Sequence, residues 1–129
     1  MRFMMIVKAN AESEAGLPPS PALMEAVGKL SEEAFQQGIM IDGGGLAPSA
    51  TGARVPVRNG KVAVIDGPFA EAKELVGGYA IMELPSREAA IEQGRRFMQV
   101  HRDVMGPSYE GELEIRQLVG AEEMAQAQR

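Results

Sequence analysis

The sequence predicts an α+β fold: one antiparallel sheet with two helices on one of its faces. Three observations carry that prediction. Two stretches, residues 20–38 and residues 85–106, place apolar side chains at helical spacing. Each is flanked by short runs of strand character, so the order reads β-α-β, then a hairpin, then β-α-β. No long repeat or linker breaks the 129 residues, a one-domain length.

Each element follows from local chemistry. Residues 3–7 (FMMIV) are apolar throughout, which suits a strand covered on both faces. Residues 9–19, rich in Glu, Ser, Gly and Pro, read as a loop. Ser20 then caps a helix and Pro21 suits its first position. Leu23, Val27, Leu30 and Ala34 share one face of it, and Gly38 stops it. Residues 39–41 form a short strand, closed by Asp42-Gly43-Gly44-Gly45, and residues 46–53 read as loop. Asn59-Gly60, between runs 55–58 and 61–65, is a hairpin turn that needs positive φ at both residues. Residues 78–84 make another strand. The second helix begins at Pro85-Ser86 and carries Ala90, Gly94, Phe97, Met98 and His101 on one stripe, with Gly106-Pro107 beyond its end. Residues 112–118 close as an alternating strand, Leu113 and Ile115 inward, Glu112, Glu114 and Arg116 outward. The arrangement is the ferredoxin-like split β-α-β with one inserted hairpin. The domain spans residues 1–119, and residues 120–129 form a mobile or loosely helical tail.

Composition narrows the function. A net charge of −5 repels phosphate backbones, which argues against nucleic-acid binding. The first apolar run is too short for a signal segment or a membrane span, so a cytoplasmic protein is expected. Without cysteine there is neither a disulfide nor a thiolate metal site. A single histidine and scattered carboxylates give no metal-ligand spacing, and no cofactor fingerprint is present. Gly43-Gly44-Gly45 lacks the spacing and following helix of a phosphate loop. Nine methionines suit an adaptable core, or a binding face. Apolar residues on both sides of the sheet predict a homodimer that packs sheet against sheet. The outward Glu114 and Arg116 would leave a polar cleft between the sheets, a place for a small molecule.

The stretch Asp66-Gly67-Pro68-Phe69-Ala70-Glu71-Ala72-Lys73-Glu74, followed by Gly77-Gly78-Tyr79, resembles the signature of the DGPF-domain proteins, a branch of the YCII-related family. Ala72 stands where Thr is common in that motif. The similarity of order and spacing extends to about residue 119. The resemblance implies a ferredoxin-like fold assembled as a dimeric α+β barrel. It also implies an unsolved function, with a His–Asp pair suspected in the inter-sheet cleft and an association with extracytoplasmic-function sigma factors. Similar barrels include isomerases, monooxygenases and decolorising peroxidases, so the fold alone does not fix chemistry. In the YCII branch the suspected histidine lies in the first helix; residues 20–38 here contain none, and the sole histidine is His101.

The candidate catalytic residues are Asp66, Asp42 and His101. Asp66 is either an Asx-type turn cap or a carboxylate whose neighbour Phe69 tunes it for acid/base work. Asp42, in the similar context Ile41-Asp42-Gly43, would pair with it or be a second turn residue. His101, on the apolar stripe, is either a packed side chain or a catalyst near a helix end. Gly67, Pro68, Phe69, Lys73, Tyr79 and Arg116 are the candidate ligand contacts, Lys73 for an anionic group. Glu71, Lys73 and Glu74 read equally as a solvated segment. Three functions remain open: a small-molecule binder with cofactor-free acid/base chemistry in a dimer cleft, an interaction module tied to sigma-factor signalling, and a structural dimer whose motif only shapes a turn.

Overall fold

The computed structural model describes residues 1–70 and 74–127. Its centre is a four-stranded antiparallel sheet built from β1 (Arg2–Lys8), β2 (Met40–Gly45), β7 (Val76–Glu83) and β8 (Leu113–Leu118), in the order β2-β7-β1-β8. The two long helices are α2 (Pro21–Gln36) and α3 (Arg87–Met105). This is the ferredoxin-like order, with the first and third long strands at the centre. The strand register fixes the faces. Phe3 and Met5 oppose Met82 and Ala80 on β7, and Met5 opposes Ile115 on β8. These side chains face the helices and join Leu84 and Ala90 in the core. Met4, Ile6, Tyr79, Ile81, Glu114 and Arg116 therefore share the outer face.

Both helices begin as their capping residues predict. Ser20 Oγ accepts the Leu23 N–H at 3.2 Å, and Ser86 Oγ accepts the Ala89 N–H at 3.1 Å. Gly38 and Gly106 end them with φ of 73° and 99°. Among the described residues, no helix is long and apolar enough to cross a membrane.

Three local features depart from the sequence expectation. The stretch read as loop contains a one-turn helix, α1 (Ala11–Glu14). Asn10 Oδ1 accepts the Ser13 N–H while Ser13 Oγ accepts the Asn10 N–H, a reciprocal cap that a glutamate-free pattern conceals. The glycines that seemed to close β2 lie inside it, because Gly43, Gly44 and Gly45 pair with Ala80, Tyr79 and Gly78. A 3₁₀ turn, Ser49–Thr51, occupies the next predicted loop. In the tail, read as mobile or loosely helical, Ala121–Ala127 form helix α4, with Glu122 and Glu123 in its first turn, where the helix dipole favours carboxylates.

The inserted hairpin is present and longer than its sequence suggested. It comprises β3 (Ala53–Arg54), β4 (Val57–Arg58), β5 (Lys61–Val62) and β6 (Ile65–Asp66). Ala53 pairs with Asp66 and Val57 with Val62, one unchanged register on both sides of Pro56. Proline has no N–H to donate, so the ladder is interrupted there, while the Pro56 carbonyl still accepts the Ala63 N–H at 3.0 Å. Asn59 and Gly60 take φ of 53° and 76°, as the two-residue turn requires. No strand of this arm pairs with the central sheet.

Candidate functional site

The turn at Asp66 is fastened to the rest of the chain by backbone. The Gly67 N–H donates to the Gly52 carbonyl at 3.0 Å, and the Gly67–Pro68 peptide is cis. Ser49 stands at the junction. Its N–H and Oγ–H donate to the two Glu14 carboxylate oxygens at 3.0 and 2.5 Å, and its Oγ accepts the Phe69 N–H at 3.0 Å. The Arg54 guanidinium lies 3.9 Å from the Phe69 ring centroid, a cation–π contact. Ser49→Ala removes two of these hydrogen bonds, one of them charge-assisted. Its expected cost is roughly 1–3 kcal/mol in urea unfolding, with the sheet's circular dichroism unchanged.

Asp66 itself is exposed, and its carboxylate has no hydrogen bond or ion pair among the described residues. The Asx-type contact occurs at Asp42 instead, whose Oδ1 accepts the Gly43 N–H at 2.8 Å. Asp42 Oδ2 lies 3.5 Å from the Tyr79 hydroxyl on the outer sheet face. The two aspartates occupy different units, Asp66 the root of the arm and Asp42 the edge of the sheet, and share no contact. Lys73 and Glu71 lie outside the described residues. Arg116 is on the outer face, where its guanidinium donates to Glu114 at 3.1 Å; Lys8 reaches the same carboxylate at 3.2 Å. The Arg116 hydrogen bond, reinforced by Lys8, holds the Glu114 carboxyl below its usual range.

His101 is buried against Phe97 and Tyr109, ring centroids 4.5 and 5.7 Å away. Its Nδ1 lies 2.8 Å from the Phe97 carbonyl oxygen, so Nδ1–H donates there. Burial pushes the Tyr109 hydroxyl up. The cluster ties the end of α3 to the segment after it. Among the described residues no group of three metal-binding side chains comes together.

The principal concave feature lies elsewhere, on the helix side of the sheet. A cavity of about 420 Å³ separates β2, β7 and β1 from α2 and α3. Met5, Val7, Met40, Ala80, Met82 and Leu113 form its floor; Val27, Leu30 and Ala34 of α2 and Phe97 of α3 form its roof. Apart from Tyr79, whose register places its side chain on the outer face, the polar residues lining it are Ser31 and Gln93; among the described residues neither is hydrogen-bonded through its side chain and no charged side chain lines the space. A roomier hollow of about 510 Å³ beside Met1, Glu83 and Glu123 is a shallow surface groove of exposed residues.

The cavity exists because small residues face one another across the layer. Gly43 and Gly45 project no side chain from β2, nor does Gly78 from β7, and α3 presents Gly94. A Cβ on Gly94 would sit 3.0 Å from Ile115 Cδ1, so the helix is drawn close there and the void opens to one side. At the other end of the layer Phe3, Met5, Leu84 and Ala90 are tightly buried. Sequence reasoning missed this space. The available signal was the glycine run in β2 opposite Gly78, together with Ala34 and Gly94 at inward helix positions.

The YCII-related domain model matches residues 1–105, so the chain belongs to that family. No curated protein matches it.

Proposed function

With YCII-related family membership as the premise, we propose that this chain is a small-molecule-binding protein and that the sheet–helix cavity holds its ligand. One observation carries the reading: beside the packed cluster of Phe3, Met5, Leu84 and Ala90, the layer between sheet and helices opens into an apolar pocket of about 420 Å³. Protein interiors are normally close-packed. Apolar surface left wet in such a recess is covered favourably by an apolar occupant. Its volume lies within the roughly 300–1,000 Å³ of small-molecule pockets.

The lining defines the ligand class. With no counter-charge in the wall among the described residues, a charged group would enter without compensation for its lost hydration. The ligand is therefore neutral and largely apolar, with one or two polar atoms for Ser31 and Gln93. Among the described residues no carboxylate or histidine lines the space, which supports a binding role for it. A second reading places a polar ligand between the outer sheet faces of two copies, with Asp66 at its edge; the cluster of Asp42, Tyr79, Glu114 and Arg116 on that face favours it.

A thermal-shift screen of neutral and charged metabolites on wild type and Asp66→Asn separates the two. Neutral apolar compounds are expected to raise the midpoint of both proteins equally, because Asp66 does not line the cavity. Stabilisation by charged compounds alone, abolished in a folded Asp66→Asn variant, would favour the inter-sheet cleft. No stabilisation by any compound would contradict both.

A further inference from the structure

Part of the cavity floor is bare backbone. Gly45 pairs with Gly78 and Gly43 with Ala80, so two successive inward rows of β2 and β7 carry nothing larger than one methyl group. A Cβ on Gly45 would meet no atom within 4 Å, and one on Gly78 would meet only backbone of Gly44 and Gly45. Peptide groups rather than side chains bound the space there. Bulk returns at the borders. A Cβ on Gly43 would run into Met40 Cε, so that side chain closes the floor at one end. Val7 and Leu113 stand on the far side, in the same row as Gly78.

Dimensions decide what shape fits. The floor crosses three adjacent strands, β2, β7 and β1, and runs along β7 from Gly78 to Met82. At the usual strand spacing and rise per residue it measures roughly 10 by 13 Å. The space of about 420 Å³ over a floor of that size is on the order of 3 Å deep. A slot of that depth takes an aromatic system lying flat and pinches a puckered saturated ring. A rigid ring also enters without freezing the rotamers that an acyl chain must give up. Ser31 and Gln93 reach the same space from the two helices, and an amide group offers them both a donor and an acceptor.

We propose that the ligand is a planar, neutral aromatic amide or lactam, lying face down on the backbone of Gly45 and Gly78 and the methyl group of Ala80, beneath Val27 and Ser31. This ligand class rests on the reading of the cavity as a binding site and adds to it the shape of the occupant. Apolar burial by itself gives no preference for a flat ring, because a saturated bicycle or a chain of equal carbon number buries at least as much apolar surface.

Isothermal titration of the intact chain compares three neutral amides of equal carbon number: 2-naphthamide, its decahydro form and undecanamide. The flat 2-naphthamide is expected to bind at least about tenfold tighter than either of the others. Gly45→Ala then raises one methyl group from the floor without striking an atom. In this variant, shown to be folded by circular dichroism, 2-naphthamide is expected to lose at least about fivefold in affinity, whereas undecanamide, which can bend around the methyl group, changes by less than about twofold. Equal or tighter binding of the decahydro amide or of undecanamide overturns the planar class and leaves the cavity as a binding site. A folded Gly45→Ala variant with unchanged affinity for 2-naphthamide also overturns it. Binding by none of the three contradicts the cavity reading itself, and the ligand class with it.

Discussion

Gly67→Ala is expected to lower stability by about 2–3 kcal/mol, roughly 10 °C in midpoint for a chain of this size. The reason is a single contact between two pieces of backbone. A Cβ at Gly67 would fall 1.7 Å from the Ser49 carbonyl oxygen and 2.6 Å from its carbon. Neither neighbour is the end of a flexible side chain. Either the turn must lift from the 3₁₀ segment or that segment must move, and both routes pull on the Ser49 contacts to Glu14 and Phe69. The loss should appear in thermal or urea unfolding, and the arm should become more susceptible to proteolysis than the sheet. A variant as stable as wild type would show that the turn is not held by this approach. The motif's glycine thus has a structural reason that does not depend on any role of Asp66.

The second large effect concerns ligand affinity rather than stability. Gly45 lies on the inner face of β2 and borders the cavity, and a Cβ there would have no atom within 4 Å. Gly45→Leu therefore builds an apolar side chain into empty space without striking backbone. Affinity for a neutral ligand found in the thermal-shift screen is expected to fall at least about 100-fold, which is about 2.7 kcal/mol. Stability of the ligand-free protein should hold or rise by about 1 kcal/mol, since the new side chain buries apolar surface. Isothermal titration and urea unfolding of the same preparation read both quantities. Unchanged affinity in the folded variant would place the ligand elsewhere.

The fold was legible because its signals are local. Ser20-Pro21, Ser86, Gly38 and Gly106 mark helix ends through backbone chemistry that needs no tertiary context, and Asn59-Gly60 marks the turn of the arm in the same way. The Asn10–Ser13 cap was missed because either residue alone is commonplace in a loop. The Ser49 junction was missed because it joins Glu14, Ser49 and Phe69 over long separations, and polar residues in loops do not announce their partners. His101 carried both a packing and a catalytic reading; its Nδ1 donates to a helix carbonyl and its ring is buried between two aromatics. The cavity was hidden for a different reason. Periodicity shows which residues face inward and not whether their volumes fill the layer between sheet and helix.

Methionine methyl groups offer the most direct test of the cavity as a binding site. Met5, Met40 and Met82 line it, whereas Met24, Met105 and Met124 are exposed. Carbon-13 methyl spectra of the intact chain are recorded while 1-aminoanthracene, a neutral apolar probe, is added. Saturable shifts at Met5, Met40 and Met82, with Met24, Met105 and Met124 unmoved, are the predicted result. Shifts confined to the exposed methionines, or none at saturating probe, would contradict the claim that this space takes a neutral small molecule.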